Sequence, residues 1–166
     1  MPHLRDFAGL TTPQAAGVLS ISTFLALSSL VWGQLAARLT ARWCIVAALV
    51  LSGAAALALL WVDSLLAAYV FGVLWGLFHG GLEVLKYILL ADYFGRDSYG
   101  AIAGSLRPFE AGGLGVGQLV GPLIYDFTGS YTLLILSSAG LLVLSAALML
   151  LARRPAPKPA GPLLST

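Results

Sequence analysis

Charge is what this sequence has least of. Only 10% of its 166 residues are Asp, Glu, Lys or Arg, against 59% that are hydrophobic, whereas about a quarter of a soluble domain is charged. That balance excludes a soluble globular domain and indicates an integral membrane protein. Cysteine is nearly missing as well. Cys44 alone excludes an intramolecular disulfide and reads as a packed small side chain; with no Cys/His cluster at ligand spacing, no metal or other cofactor is expected. Basic runs are absent, so the net charge of +2 offers no footing for nucleic acid. No Ser/His/Asp set, metal-ligand set or phosphate loop occurs, and no enzyme is predicted. At about 20 residues per hydrocarbon crossing, the length allows at most about six or seven spans, with no room for a soluble catalytic domain.

What is present is a series of long apolar runs. The polar segment 1–12 contains His3, Arg5 and Asp6 and lacks the apolar core and cleavage site of a signal peptide. Thr12-Pro13 reads as an N-cap followed by proline at the first helical position. The runs that follow predict five spans, over about 13–37, 43–62, 64–93, 100–125 and 132–152, and a Pro-rich tail over 153–166. The predicted fold is an all-α integral membrane bundle. Loop cations set its orientation: Arg38, Arg42, Arg96, Arg153, Arg154 and Lys158 fall on one side and Arg5 on the other. The positive-inside rule puts the first group in the cytoplasm, so the N-terminus lies outside and the tail inside. Trp43 fits an interfacial anchor on the cytoplasmic side. The wealth of Ala, Leu, Gly and Arg suits a GC-rich bacterial gene, hence an inner membrane.

Five ionisable residues fall within the predicted spans: His79, Glu83, Lys86, Arg107 and Glu110. A charge in hydrocarbon costs at least a few kcal/mol, so such groups face a bundle interior or an aqueous cavity and have partners. On a helix, Glu83 lies about 40° round from His79 and Lys86 about 20° back, so the three share one stripe. Arg107 and Glu110 share a face of the next helix, which returns from the same side. Cross-helix pairs of Glu83 with Arg107 and of Lys86 with Glu110 are expected. Two readings follow. The pairs are static bridges holding two helices, or they form a layer in which Glu83 or Glu110 takes a proton while Arg107 or Lys86 attracts an anionic solute, with His79 joining a proton path. Gly113, Gly117 and Gly121 recur every four residues, a spacing that suits close helix packing or, with Pro122, a flexing gate.

Three strings carry a resemblance that periodicity does not supply. Gly33-Gln34-Leu35-Ala36-Ala37-Arg38-Leu39-Thr40-Ala41-Arg42 resembles the cytoplasmic G-x-L-a-D-R-x-G-R motif of the major facilitator superfamily through Gly33, Arg38 and Arg42, with Ala37 and Ala41 standing where the motif has Asp and Gly. Ala91-Asp92-Tyr93-Phe94-Gly95-Arg96, followed by Gly100 and Gly104, is similar to the loop before that family's eleventh helix. Gly121-Pro122-Leu123-Ile124-Tyr125-Asp126-Phe127-Thr128-Gly129-Ser130-Tyr131 resembles the string that ends it. The resemblance implies that the five spans correspond to helices eight to twelve, an incomplete C-terminal six-helix bundle. It is closest to the monocarboxylate transporter and oxalate/formate antiporter branch, which implies small organic anions moved with protons or by exchange. It also implies a partner for this side of the cavity, either the N-terminal bundle or a second chain. The alternative is a membrane subunit or truncated remnant that packs against a partner without transporting.

Overall fold

Apolar runs of this length can satisfy their backbone in lipid only as helices, and helices account for all the regular structure of residues 11–152, which the computed structural model describes. The expectations for the N-terminal segment and the Pro-rich tail fall on 1–10 and 153–166, outside the described residues. Helix α1, Thr12–Leu25, starts one residue earlier than the sequence suggests. The backbone N–H and hydroxyl of Thr11 both donate to Gln14 Oε1 at 2.9 Å, so the cap is Thr11 and Gln14 closes back over it. A 3-10 turn, Ala26–Ser28, leads into α2, Ser29–Arg38. After Leu39-Thr40 come α3, Ala41–Ala58, and a further 3-10 turn, Leu59–Trp61. Helix α4, Leu65–His79, is capped by the Ser64 hydroxyl, which accepts from the Ala67 N–H at 3.2 Å. Helices α5, Leu82–Thr128, and α6, Thr132–Leu151, complete the described chain.

Among the described residues, four stretches are long and apolar enough to cross a membrane: Thr12–Arg38, Ala41–Trp61, Leu65–Gly95 and Thr132–Leu151. The expected fourth span, 100–125, is helical throughout but does not reach that apolarity. Its many glycines, together with Arg107, Glu110 and Gln118, dilute the run.

Helix α5 is not one rod. Gly95 has φ 74° and ψ 173°, a conformation essentially reserved for glycine, and it divides α5 into limbs 82–94 and 96–128. The loop expected around Asp92 to Asp97 is thus condensed into one residue. A straight helix would hold Lys86 and Glu110 about 36 Å apart, yet their side chains lie 2.7 Å apart, so the chain folds back at Gly95. The second limb ends at Gly129, φ 65°, whose N–H bonds to the Tyr125 carbonyl at 2.7 Å as a left-handed C-cap. Here the string around Gly129 acquires a structural explanation. The Ser130 N–H donates to Thr128 Oγ1 at 3.3 Å, the Thr132 N–H donates to Ser130 Oγ at 3.1 Å, and Tyr125 stacks on Tyr131 at 4.4 Å. Together these contacts turn the chain tightly into α6.

Packing between α1 and α4 depends on missing side chains. A Cβ at Gly72 would stand 2.9 Å from Val18 Cγ1, and one at Gly76 would stand 2.8 Å from Ser22 Cα. Two glycines four apart therefore let backbones touch, as small residues do in membrane helices. One apolar cluster forms there from Val18, Val62, Ala68 and Phe71. A second, of Trp32, Ala36, Ala41, Cys44, Ile45, Ala48 and Leu85, joins α2, α3 and the first limb of α5 and buries Cys44 as a small apolar side chain. The series singled out in the sequence behaves differently. A Cβ at Gly113 or Gly117 would meet nothing within 4 Å, one at Gly121 would make an ordinary contact with Leu134 at 3.6 Å, and every residue from 111 to 120 is exposed. Within the described chain, close helix approach falls on Gly72 and Gly76.

Gly76→Ala is expected to lower the stability of the detergent-solubilised chain by about 1–3 kcal/mol through overpacking. Gly113→Ala should leave it unchanged or raise it by up to about 1 kcal/mol, the helix-propensity gain of alanine. Thermal unfolding followed by circular dichroism distinguishes the two; equal losses would contradict this packing.

Candidate functional site

The site begins where α4 passes into α5. Leu77 lies one turn before Gly81, and its carbonyl accepts from Ser28 Oγ at 2.9 Å and from Trp32 Nε1 at 2.8 Å. Donors from a neighbouring helix thereby satisfy backbone near the Gly80-Gly81 turn, as a bend in a membrane requires. A Cβ on Gly81 would collide with the Trp32 ring, so glycine is what admits that indole. These contacts fix where the first limb of α5 starts, and with it Glu83 and Lys86.

The expected charges do come together, in a different order. Lys86 Nζ lies 2.9 Å from Glu83 Oε2 and 2.7 Å from Glu110 Oε1, and Arg107 Nη1 lies 3.7 Å from Glu110 Oε2. The result is one chain, Glu83–Lys86–Glu110–Arg107, with alternating sign and no net charge. The expected pairing of Lys86 with Glu110 joins the two limbs. In place of the expected Glu83–Arg107 pair, Glu83 meets Lys86 one turn along its own limb, and Arg107 turns to Glu110 on its own. The ends of the chain are open: the Glu83 side chain is 73% exposed and that of Arg107 68%, against 28% for Lys86 and 29% for Glu110.

Tyr87 supports this arrangement from off the charged stripe. Its ring lies 4.8 Å from Lys86 Nζ and 5.7 Å from Arg107 Cζ, within cation–π range of both, and Tyr99 packs at its edge at 6.3 Å. Its hydroxyl is buried with no hydrogen-bond partner. Tyr87 lies about 100° round the helix from Lys86, so helical spacing alone leaves it off the charged face; ring size brings it in.

His79 lies one turn before Glu83 along the chain and joins none of these ion pairs. It stacks on Trp75 at 4.6 Å and 14°, and Trp75 in turn stacks on Phe71 at 6.0 Å. A groove of about 250 Å³ opens beside it between α1 and α4, lined by Leu19, Ser22, Thr23, Trp75 and His79. The Ser22 and Thr23 hydroxyls both donate to the Leu19 carbonyl at 2.9 Å, so toward the groove their oxygens offer acceptor lone pairs. Of the motif residues, Gly33 lies in α2, where an added Cβ would make only ordinary contact with Val84, Arg38 ends α2 exposed, and Arg42 donates to the Leu150 carbonyl at the end of α6. Pro108 and Pro122 lie inside the second limb.

Residues 1–165 match the family model of the Major Facilitator Superfamily, and the chain belongs to that family. It is therefore a multi-pass membrane protein of the transporter type. No curated protein matches the sequence.

Removing the unpartnered hydroxyl with Tyr87→Phe should leave stability unchanged or raise it by about 1 kcal/mol, whereas Tyr87→Leu, which takes the ring from both cations, should lower it by about 2 kcal/mol. Thermal unfolding of the two variants is the check. An equal loss in both would mean that the hydroxyl, not the ring, carries the contact.

Proposed function

We propose that this member of the Major Facilitator Superfamily is a secondary transporter of small organic anions, with Arg107 as the contact for the anion and Glu83 as the group that takes the coupling proton. The observation that carries the reading is the asymmetry of the ion chain. Lys86 holds both carboxylates and is the least available cation. Arg107, 3.7 Å from its one carboxylate partner and 68% exposed, can exchange that loose pair for a bidentate bond to a substrate carboxylate. Glu83, at the other open end, can lose its charge while Lys86 keeps Glu110. Protonation there leaves the layer with one positive charge in excess, which favours an entering anion. The groove beside His79 and Trp75 gives the remainder of such a solute a place next to the charged layer.

The reading takes the second limb of α5 as a crossing too, the fourth of five in chain order, with the loop cations in the cytoplasm. Its charged layer is then one side of a cavity whose other side comes from a second bundle, since alternating access needs two repeats. A second reading, a membrane subunit that packs without transporting, is favoured by one feature: every residue from 111 to 120 is exposed, as in a helix awaiting a neighbour.

Uptake of labelled lactate, oxalate and formate into membrane vesicles of the source cells, where the chain meets whatever supplies the second bundle, tests both. Arg107→Ala and Glu83→Gln should each reduce uptake at least about tenfold, the equivalent of roughly 1.4 kcal/mol. Wild-type uptake by both variants, folded and at equal abundance, would remove the proposed site. No flux of any of the three by the wild type would favour the packing subunit.

A further inference from the structure

The ion chain is closed in its middle and open at both ends, and the two ends complement each other. Glu83, 73% exposed, is the negative end on the first limb of α5, and Arg107, 68% exposed, is the positive end on the second. Glu83 lies 12 residues before Gly95 and Arg107 lies 12 residues after it. On limbs that run back past each other the two ends therefore stand at the same level, about 18 Å from the reversal. Within one chain Lys86 and Glu110 stand between them. The face that carries Arg107 continues without cover. Gln118 lies about 20° round the helix from Arg107 and is exposed. Gly115, about 80° round, leaves room for a neighbour, since an added Cβ there would meet nothing within 4 Å. Lipid suits neither a carboxylate, a guanidinium nor an amide, all of which call for protein partners at membrane depth.

We propose that a second copy of this chain covers this face, related to the first by a two-fold axis along the membrane normal. The inference rests on the reading above that the second limb crosses the membrane and meets a second bundle. A two-fold contact is reciprocal, each residue meeting in the other copy what it is met by in return. Turning one copy to face the other about that axis keeps depth and exchanges the two sides. Arg107 of each copy then comes opposite Glu83 of the other, and Gln118 receives a protein surface in place of lipid. Two open chains of four charges close into one ring of eight with alternating sign. An unrelated bundle would have to supply its own acid and base at that depth and spacing, whereas a second copy has them by symmetry. The ring also gives the coupling of proton to anion a physical route. Protonation of Glu83 in one copy releases Arg107 of the other, and an entering carboxylate takes the vacated place.

The test reads the mass of the full chain, purified in detergent, by native mass spectrometry over a dilution series. The wild type should give dimers of twice 17.3 kDa. Glu83→Gln and Arg107→Gln each remove one member of both cross pairs, and each should raise the dimer dissociation constant about a hundredfold, roughly tenfold for each pair. Mixing the two variants, one of them labelled with nitrogen-15, should restore association. A mixed dimer keeps one intact pair, Arg107 of the first variant against Glu83 of the second, so mixed dimers should exceed their chance share over like dimers about tenfold. Circular dichroism checks the helicity of each variant, and a folding defect would not be cured by mixing. A monomeric wild type, or mixed dimers at their chance share, overturns the proposal. Neither result depends on flux. A dimer whose source membranes take up none of the three anions keeps the second copy and favours the packing subunit; a monomer whose source membranes do take them up overturns the second copy alone.

Discussion

In hydrocarbon no water is available to stand in for a missing partner, so every backbone amide, carbonyl and charge must be satisfied by the protein itself. The ordering of this chain follows from that constraint. Where α4 gives way to α5, Ser28 and Trp32 donate to the Leu77 carbonyl. Where α5 ends, Gly129 and the hydroxyls of Thr128 and Ser130 close the turn. Between the two limbs of α5, the four charges of Glu83, Lys86, Glu110 and Arg107 neutralise one another in one chain.

Glycine makes this satisfaction geometrically possible, in two distinct ways. At Gly72, Gly76 and Gly81 the missing Cβ admits a neighbouring backbone or ring, which brings the donors of the first span within reach of the third. At Gly95 and Gly129 it is the positive φ that matters. The reversal at Gly95 lets a cation on one limb meet a carboxylate on the other. A side chain at Gly95 would strain the backbone by about 1–3 kcal/mol and loosen the approach on which the site depends. The site is thus a product of backbone turns first and of charged residues second.

Much of this was legible in the sequence, for physical reasons that differ by feature. The long apolar runs pointed to the four stretches of membrane length and apolarity, because few other structures use so many apolar residues in a row. The cost of charge in lipid pointed to His79, Glu83, Lys86, Arg107 and Glu110, and the helical stripe brought Lys86 to Glu110. Stripe geometry gives faces but not competition between partners, so it expected Glu83 to cross to Arg107, where Lys86, one turn away, is nearer. The same limit applies to glycine. A four-residue spacing permits close approach but does not identify the helix that uses it, which is why Gly113 and Gly117 drew attention while Gly72 and Gly76 make the contact. Tyr87 was hidden because its reach comes from ring size and its angular position lies off the stripe.

The central claim is that Lys86 and Glu110 balance each other across the fold at Gly95. A double-mutant cycle in lipid bilayers measures this directly, with Lys86→Met, Glu110→Met and the pair compared by unfolding free energy. A mutual pair predicts that the double variant loses less than the sum of the two single losses, because the second substitution removes a group whose partner is already gone, with a coupling of about 1–3 kcal/mol. Strictly additive losses, with the double the least stable of the three, would contradict the account and separate the two limbs of α5.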